Sequence, residues 1–284
     1  MADLLIRRYR AADAPAVQRL APDAPPLQEV IEAGGQAWVA ERQGQLLAYA
    51  CAAPLPGLPD HFDLQGCVSA AARRQGIGSR LLNALLSALG EQGAREISCA
   101  VQRLDRPTAL FLQARDFTLH HEEWRMTLRA LDALPPVPDV PDCQAQTLPR
   151  RQAISTFRRL SDESFAGAPW YQPYSEEEVA ADLGQAQDVL FWVCDGKPVG
   201  FVWAHRQGAA GAQIEPVGVL PGARGRGYGR ALLLAALHRL ARRGVSHAHL
   251  AVWRENTAAI GLYKELGFQR NGRRYYLAYE ISRL

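Results

Sequence analysis

The sequence lacks several features that assign a protein to a class at once. None of its 284 residues belongs to an apolar run near the ~20 residues that a membrane-spanning helix needs. The opening, MADLLIRRYR, has neither the order nor the length of a secretory leader. The net charge is only +3, too small by itself to indicate binding to nucleic acid. These absences predict a cytoplasmic protein without a membrane or nucleic-acid partner.

Cysteine is present, but in no pattern that marks a metal site or a disulfide framework. The chain has five cysteines, which are widely spread and form no Cys-x-x-Cys: Cys51, Cys67, Cys99, Cys143 and Cys194. This usage suits a reducing compartment, and we expect each to be a small buried apolar residue. His205, His247 and His249 show no grouping beyond strand alternation, so no metal is expected.

Proline is concentrated near the middle of the chain, where residues 132–146 hold four prolines and predict an exposed linker. The segments on either side repeat each other at an offset of 151 (227 − 76), with no gap over about fifty residues. The aligned pairs include Arg73 and Arg224, Gly76 and Gly227, and Gly78 and Gly229. We therefore predict two copies of one domain, residues 1–131 and 147–284.

Both copies alternate β-rich runs with helical periodicity. In the second copy, two runs within 188–206 flank Asp195-Gly196 and predict a hairpin, and the first copy has a counterpart in 37–52, turning near Gln43-Gly44. The elements that follow are a strand at 213–220, a helix at 229–243, a strand at 247–253, a helix at 256–266 and a closing strand pair at 267–282. This order predicts an α/β (α+β) fold, a sheet with helices packed on it.

A glycine- and arginine-rich turn, GARGRGYGRALL at 222–233, lies between a predicted strand and a predicted helix. Glycines let the backbone approach a ligand, and the first helical turn offers unpaired N–H groups and a favourable dipole to an anion. Neither copy has the Gly-Lys-Ser/Thr of a Walker loop, and the second copy has His247-Ala248-His249 where a Rossmann fingerprint needs its distal acid. An RGG-type nucleic-acid segment would lack the strict helix. The motif that remains is Arg-x-x-Gly-x-Gly, at Arg224, Gly227 and Gly229 and again at Arg73, Gly76 and Gly78.

Together with the segment after it, this loop resembles the GCN5-related N-acetyltransferase (GNAT) family. Residues 252–268 match the family pattern Asn-x-x-Ala-x-x-Leu-Tyr-x-x-x-Gly-Phe at Asn256, Ala259, Leu262, Tyr263, Gly267 and Phe268. The likeness covers nearly all of the second copy and, more weakly, the first. It implies two tandem acyl-CoA N-acyltransferase domains, each a mixed, mostly antiparallel sheet flanked by helices, as in the mycothiol synthases. It also implies acetyl transfer from acetyl-CoA to an amine by direct attack in a ternary complex.

The resemblance implies a set of residues that bind the cofactor. Backbone groups of Val217, Gly218 and Val219 are expected to pair with the pantetheine arm, and Asn256 to contact the cofactor. The pyrophosphate is assigned to the loop residues Arg224, Gly225, Arg226, Gly227, Tyr228, Gly229 and Arg230. Their counterparts in the first copy are Val68, Arg73, Arg74, Gly76, Gly78 and Ser79.

The reaction needs a base and an acid. An amine with a pKa of ~10 is mostly protonated at neutral pH, and a thiolate leaves more easily when protonated. Tyr263 stands in the family's general-acid position. Glu215 is our candidate base, because the family often places a carboxylate on this strand and alternation predicts one common face for Glu215, Val217 and Val219. The alternative for Glu215 is an ordinary surface residue.

The two copies differ at these positions. The offset of 151 pairs Tyr263 with Leu112, Asn256 with Asp105 and Glu215 with Leu64. Leucine has no proton to donate, so catalysis is predicted in the second copy alone. The first copy either holds CoA without catalysis or serves only for packing.

The acceptor is expected beside residues 165–183, where Trp170, Tyr171 and Tyr174 either line a pocket or cover the sheet edge. Ser175 and Glu178 fit a capping box; the other interpretation is that the acids there attract a cationic amine. The sequence leaves open whether the acceptor is a small molecule or a protein, the acyl chain and the oligomeric state. Two rival functions are a non-catalytic CoA-binding regulator, disfavoured by Tyr263, and a nucleic-acid-associated protein, disfavoured by the interspersed acidic residues.

Overall fold

The structure is a computed structural model that describes residues 4–184 and 188–281. It divides into two compact units. The N-terminal unit comprises Met1–His120 and Tyr275–Leu284, and the C-terminal unit comprises His121–Arg274. Ser282, the end of the predicted closing strand pair, lies outside the described residues.

The N-terminal unit has five strands of its own. They are β1 (Leu5–Arg8), β2 (Gln36–Arg42), β3 (Gln45–Leu55), β4 (Leu58–Val68) and β5 (Glu96–Val101), with helices α1 (Ala14–Leu20), α2 (Leu27–Glu32), α3 (Ile77–Gln92) and α4 (Pro107–Gln113). Strands β1 to β4 pair antiparallel in chain order, whereas β4 and β5 pair parallel. Apolar clusters lie against α1 and α2 on one side and α3 and α4 on the other.

The C-terminal unit repeats this plan. Its strands are β7 (Cys143–Gln146), β8 (Val189–Cys194), β9 (Lys197–Gln207), β10 (Gly211–Val219) and β11 (His247–Trp253), and its helices are α5 (Arg150–Phe165), α6 (Glu176–Asp182), α7 (Tyr228–Arg242) and α8 (Thr257–Glu265). Two further strands, β6 (Thr118–Arg129) and β12 (Gln269–Glu280), contribute residues to both units, since the C-terminal unit begins at His121 and ends at Arg274. Strands β7 to β10 pair antiparallel, β10 and β11 pair parallel, and β11 pairs antiparallel with β6. Both units are therefore mixed, mostly antiparallel sheets with flanking helices, which confirms the predicted fold class.

The closing strands of the two sequence halves are exchanged. Strand β6, from the first half, pairs with β11, and Tyr275–Glu280 of β12 pair with β5. The prediction of a closing strand pair was wrong, because β12 is one continuous strand of 12 residues. Within the predicted linker, Cys143–Gln146 form β7. The division into copies at 1–131 and 147–284 stays a prediction about the sequence.

The two predicted hairpins are confirmed by their turns. Asp195 and Gly196 have φ values of 49° and 73°, and Gln43 and Gly44 have 53° and 75°. Two successive residues with positive φ form the primed turn whose twist matches a tight antiparallel hairpin. The Asp-Gly and Gln-Gly dipeptides therefore set the register of β8 with β9 and of β2 with β3.

Apolar side chains hold helices to both faces of the sheet in the C-terminal unit. On one face, the stripe of α7 buries Leu232, Leu233 and Leu237 completely, and each buried leucine contributes roughly 1.5–3 kcal/mol of transfer free energy. On the other face, Phe157 of α5 meets Phe201 of β9 edge to face, with ring centroids 5.0 Å apart. Strands β8 to β11 are thereby fixed between α5 and α7.

The expectation that each cysteine is buried was wrong for three of the five, because Cys67, Cys143 and Cys194 are only partly buried. Cys143 and Cys194 are direct partners across β7 and β8 and are joined by a disulfide. They are 51 residues apart in sequence, so only the sheet register brings them together. Cys51 and Cys99 are buried as predicted, and burial raises the pKa of each thiol to about 12.

Within the described part of the chain, every helix is too short or too polar to cross a bilayer. In residues 4–184 and 188–281, the structure has no group of three or more His, Cys, Asp or Glu side chains able to hold a metal ion.

Candidate active site

The loop after β10 forms a cradle at the N-terminus of α7. Gly225 and Gly227 have φ values of 76° and 78°, a left-handed conformation that favours glycine. A Cβ atom added at either position would meet no atom within 4 Å, so the loop leaves open space in front of the helix. The first turn of a helix also leaves its N–H groups without intrahelical acceptors. These features fit the pyrophosphate of a CoA molecule.

Arginines border this cradle. The Arg224 side chain folds back, donating from Nε to the Val219 carbonyl at 3.0 Å and from Nη2 to the Ser164 carbonyl. Arg226 is exposed and Arg230 is partly exposed. Arg224 therefore fixes the loop against β10 and α5, while Arg226 and Arg230 contribute positive charge at its rim.

Strands β10 and β11 separate part-way along β10. Their parallel pairing covers only Gly211–Gln213 with His247–His249. Past a bulge between Ile214 and Val217, residues 217–219 pair with β9, and among the described residues no strand pairs with their other edge. An unpaired strand edge presents backbone donors and acceptors to an extended ligand. This edge fits the pantetheine arm.

The bulge corrects the predicted face of Glu215. Ile214 and Val217 both belong to the apolar layer under α7, although strict alternation would place them on opposite faces. A bulge inserts an extra residue and breaks the alternation. The prediction that Glu215 shares a face with Val217 and Val219 was therefore wrong.

The bulge also corrects the alignment of Glu215 with Leu64. Strand β4 pairs with β3 without interruption from Val68 to Phe62. The parallel pairs at His61–Asp63 and Gly211–Gln213 are equivalent in the two units, so Leu64 corresponds to Ile214. Glu215 thus lies in the bulge of β10, which adds one residue that strand β4 of the N-terminal unit lacks.

The Glu215 carboxylate spans the gap between the two strands. It accepts a hydrogen bond from the backbone N–H of Ala251 on β11. Burial, followed by the negative charge of Glu123, raises the pKa of Glu215 to about 8, while Gln213 and the guanidinium groups of Arg274 and Arg125 oppose the rise. Glu215 therefore changes its charge close to neutral pH, as a group that exchanges protons with an amine needs to do.

Tyr263 lies within electrostatic range of Glu215. It belongs to α8, is buried, and has its ring centroid 5.8 Å from that of Phe268. Burial, and then the charge of Glu215, raises the pKa of the phenol. Tyr263 consequently keeps its proton at neutral pH. The residues predicted as acid and base, 48 positions apart in sequence (263 − 215), are thus close enough for the charge of Glu215 to act on the phenol of Tyr263.

Asn256 has a structural role in the described protein. Its Oδ1 accepts a hydrogen bond from the Ala259 N–H at 3.2 Å and caps the N-terminus of α8. The cap fixes the start of the helix that carries Tyr263. Contact between Asn256 and a cofactor stays a prediction.

The N-terminal unit has the same glycine loop before α3, but different side chains surround it. Gly76 has a φ of 77°, and Arg73 Nε donates to the Val68 carbonyl at 3.1 Å, as Arg224 does to Val219. Arg115, however, lies 3.8 Å from the ring centroid of Phe111 and donates to Ser79 Oγ in the first turn of α3. Arg115 therefore lies beside this loop, whereas the residue aligned with it in the second copy is Leu266 (115 + 151). Arg74, with a φ of 62°, replaces Gly225.

The segment between α5 and α6 covers the outer face of the site. Tyr171 Oη donates to Asp162 at 3.0 Å and Tyr174 Oη to Gln172 at 2.8 Å. Burial, then the carboxylates of Asp182, Glu178 and Glu215, raises the pKa of Tyr174 to about 12. The capping box of Ser175 and Glu178 is confirmed, with hydrogen bonds of 3.1 and 2.7 Å.

Sequence reasoning missed the residues that β6 and β11 contribute to this face. Trp253 stacks on His121 with ring centroids 3.8 Å apart and lies 6.1 Å from Trp170. Glu123 is the register partner of Trp253. His121 and Glu123 belong to the first sequence half, and only the strand exchange brings them here, so no local motif marks them.

Comparison with known proteins identifies the family of this chain. A family model for the acetyltransferase (GNAT) family matches residues 2–117 and again 154–268. Mycothiol acetyltransferase from Actinosynnema mirum is 32% identical over 227 residues, or 74% of this chain and 75% of the relative. The mycothiol acetyltransferase from Nocardia farcinica is 32% identical over 246 residues, or 81% and 78%.

A solved structure supports the fold. The crystal structure of a GCN5-related N-acetyltransferase from Sphaerobacter thermophilus has a TM-score of 0.73 at 24% identity and covers 98% of this chain and 96% of that one. Two family matches in one chain also confirm the tandem organisation. The protein is therefore an acetyltransferase, and the chain belongs to the GNAT family as a tandem member.

Proposed function

We propose that the C-terminal unit N-acetylates a small-molecule amine with acetyl-CoA, by direct attack in a ternary complex. The observation that carries this proposal is the position of Glu215, at a bulge between two separating strands and within electrostatic range of Tyr263. The similarity to two mycothiol acetyltransferases supports a small-molecule acceptor rather than a protein one.

The residues around the gap between β10 and β11 fit acetyl-CoA, which when bound supplies an acetyl thioester. The loop from Arg224 to Arg230 would hold the pyrophosphate, since it combines left-handed glycines, open space and positive charge. Residues 217–219 would pair with the pantetheine arm along their free edge. Asn256 would act mainly through the helix cap that positions Tyr263.

Glu215 takes the proton that the acceptor ammonium must lose. A glutamate with an ordinary pKa of about 4.3 lies about 6 units below an amine of about 10, so the transfer is uphill by about 8 kcal/mol. Since the pKa of Glu215 is about 8, the gap narrows to about 2 units, or about 3 kcal/mol. The raised pKa thus makes the carboxylate a better-matched base.

Tyr263 supplies a proton to the departing sulfur. Its phenol remains protonated at neutral pH because burial and the nearby Glu215 charge both raise its pKa. A protonated Tyr263 and a deprotonated Glu215 form a complementary acid–base pair. No covalent acyl-enzyme is needed, because the amine attacks directly.

The N-terminal unit is proposed to be non-catalytic. Leu112, aligned with Tyr263, is buried in the apolar layer under α3 and has no exchangeable side-chain proton. The loop formed by Val68, Arg73, Arg74, Gly76, Gly78 and Ser79 nevertheless resembles its counterpart in geometry. A binding measurement decides between a second CoA site and a scaffold.

Calorimetric titration of acetyl-CoA into wild type, Gly76→Glu and Gly227→Glu tests the proposal. The two glycines are matched, since both have a left-handed φ and open space around an added Cβ, so both substitutions strain the backbone equally. Gly227→Glu is expected to weaken binding at the C-terminal unit at least about 100-fold, because it places a negative charge beside the pyrophosphate. Circular dichroism checks that each variant is folded.

The outcomes separate the alternatives. Two wild-type sites, each lost with its own substitution, would make the N-terminal loop a second CoA site. One site, lost only in Gly227→Glu, would make the N-terminal unit a scaffold. Absence of wild-type binding, or wild-type affinity in Gly227→Glu, would contradict the proposed cofactor site.

A further inference from the structure

We propose that Trp170, Trp253 and His121 form an aromatic wall that selects an acceptor amine carried on a flat ring. This inference rests on the proposed function and names the acceptor class for that site. It distinguishes a ring-bearing small molecule from a straight-chain amine such as a lysine side chain.

The aromatic wall is assembled from three separate elements. Trp253 ends β11, His121 lies on β6, and Trp170 lies between α5 and α6. His121 stacks almost parallel to Trp253, with an interplanar angle of 7°, and Trp170 is tilted by 60° against it. All three side chains remain partly exposed. They therefore form a surface with exposed aromatic area rather than the centre of a core.

The wall is on the outward side of β11. The alternate residues Ala248, Leu250 and Val252 are buried in the apolar layer under α7. Trp253 follows Val252, so it points to the opposite face, the side that the segment between α5 and α6 covers. An acceptor bound on this face of β11 would contact the indole rings.

The spacing relates the wall to the base. Glu215 binds the N–H of Ala251, two residues before Trp253. Two residues of a strand span roughly 7 Å. The backbone group that Glu215 binds therefore lies about 7 Å along β11 from the backbone of Trp253. A primary amine joined to a flat ring through a short link fits this spacing.

The same face carries charges of both signs. Glu123 is the register partner of Trp253, and its negative charge contributes to the raised pKa of Glu215. Arg125 and Arg274 moderate this potential. Aromatic faces attract cations as well as rings, so an arriving ammonium is favoured before Glu215 takes its proton.

The aromatic wall should raise kcat/KM for a ring-bearing amine over a straight-chain amine by the amount that aromatic contacts usually contribute. A ring that stacks on an indole gains contact area and a favourable aromatic interaction. We expect kcat/KM for 2-phenylethylamine to exceed that for n-butylamine on the order of ten- to hundred-fold. A merely covering role for the three aromatic residues predicts no such ratio.

The experiment measures kcat/KM for the two amines with acetyl-CoA. The wild-type ratio is expected to fall towards one in Trp170→Ala and Trp253→Leu, and to persist in Trp170→Phe, which keeps a ring. Trp124→Phe is the matched control: its indole binds Glu122 on the opposite face of β6, so the ratio should stay at the wild-type value. Unfolding midpoints reveal any purely structural effect of the substitutions.

A second readout is independent of turnover. The affinity of 2-phenylethylamine for the CoA-saturated protein is measured by calorimetry in the same variants, with n-butylamine for comparison. Tighter binding of the ring amine, lost in Trp170→Ala, supports the inference even if transfer to both amines is undetectable. Equal affinity for the two amines, or an unchanged ratio in Trp170→Ala and Trp253→Leu, overturns it. Transfer to n-butylamine in that case would leave the proposed acetyltransferase function intact.

Discussion

Replacing Glu215 with glutamine is expected to lower kcat for acetyl transfer by about 10²–10⁴-fold, the usual contribution of a positioned acid–base group. Glutamine has nearly the same shape, and its carbonyl can still accept the hydrogen bond from Ala251 N–H. The substitution therefore removes proton transfer and preserves the link between β10 and β11. Initial rates at saturating acetyl-CoA measure the effect, and an unfolding curve confirms that the fold is retained.

The pH profile of the same variant isolates the carboxylate. The pKa of Glu215 is raised to about 8, so the group is protonated below that pH and is a base only above it. In wild type, kcat/KM should rise about tenfold per pH unit below 8 as this group loses its proton. Wild type uses the acceptor ammonium, so its kcat/KM should level off above pH 8. Glu215→Gln has no base and depends on the free amine, so its kcat/KM should keep rising towards the amine pKa of about 10. The ratio of wild type to Glu215→Gln should therefore fall between pH 8 and 10.

Glu123→Gln provides a control on the cause of that inflection. Its negative charge helps to raise the pKa of Glu215, so its removal should move the inflection below pH 8. A ratio of wild type to Glu215→Gln that does not vary with pH would show that Glu215 is not the base.

Tyr263→Phe is expected to reduce turnover at least about tenfold while leaving acetyl-CoA affinity nearly intact. The ring is buried beside Phe268, and phenylalanine fills the same space, so the change removes the phenol proton with little effect on packing. Steady-state kinetics and an acetyl-CoA titration of the same preparation separate turnover from binding. Tyr279→Phe, in the N-terminal unit, is a control for loss of a phenol elsewhere. Unchanged turnover in Tyr263→Phe would remove this residue from the mechanism.

The sequence predicts the parts of this fold that depend on near neighbours. The Asp195-Gly196 hairpin, the helix predicted at 229–243 and the Ser175 capping box each follow from a few adjacent side chains, and the structure confirms them. The glycine loop is also local, because positive φ at Gly225 and Gly227 reflects the residue type itself. Local propensity and periodicity are sufficient for such features.

What the sequence could not predict depends on pairing between distant segments. The bulge at Glu215 is visible only as a register shift against β9, and it changed both the face and the alignment assigned to this residue. The exchange of β6 and β12 placed His121 and Glu123 beside Trp253 from the other half of the sequence. The disulfide of Cys143 and Cys194 likewise depends on the register of β7 and β8. None of these pairings has a signal in the nearby sequence.

The location of catalysis is tested most directly by the rate of acetyl transfer in Gly76→Glu and Gly227→Glu. Both glycines have the same left-handed backbone and the same open surroundings, so each substitution adds the same group to the equivalent loop of one unit. With a saturating amine acceptor, Gly227→Glu is expected to abolish transfer, whereas Gly76→Glu should retain a rate near that of wild type. Loss of transfer in Gly76→Glu, with retention in Gly227→Glu, would contradict catalysis by the C-terminal unit.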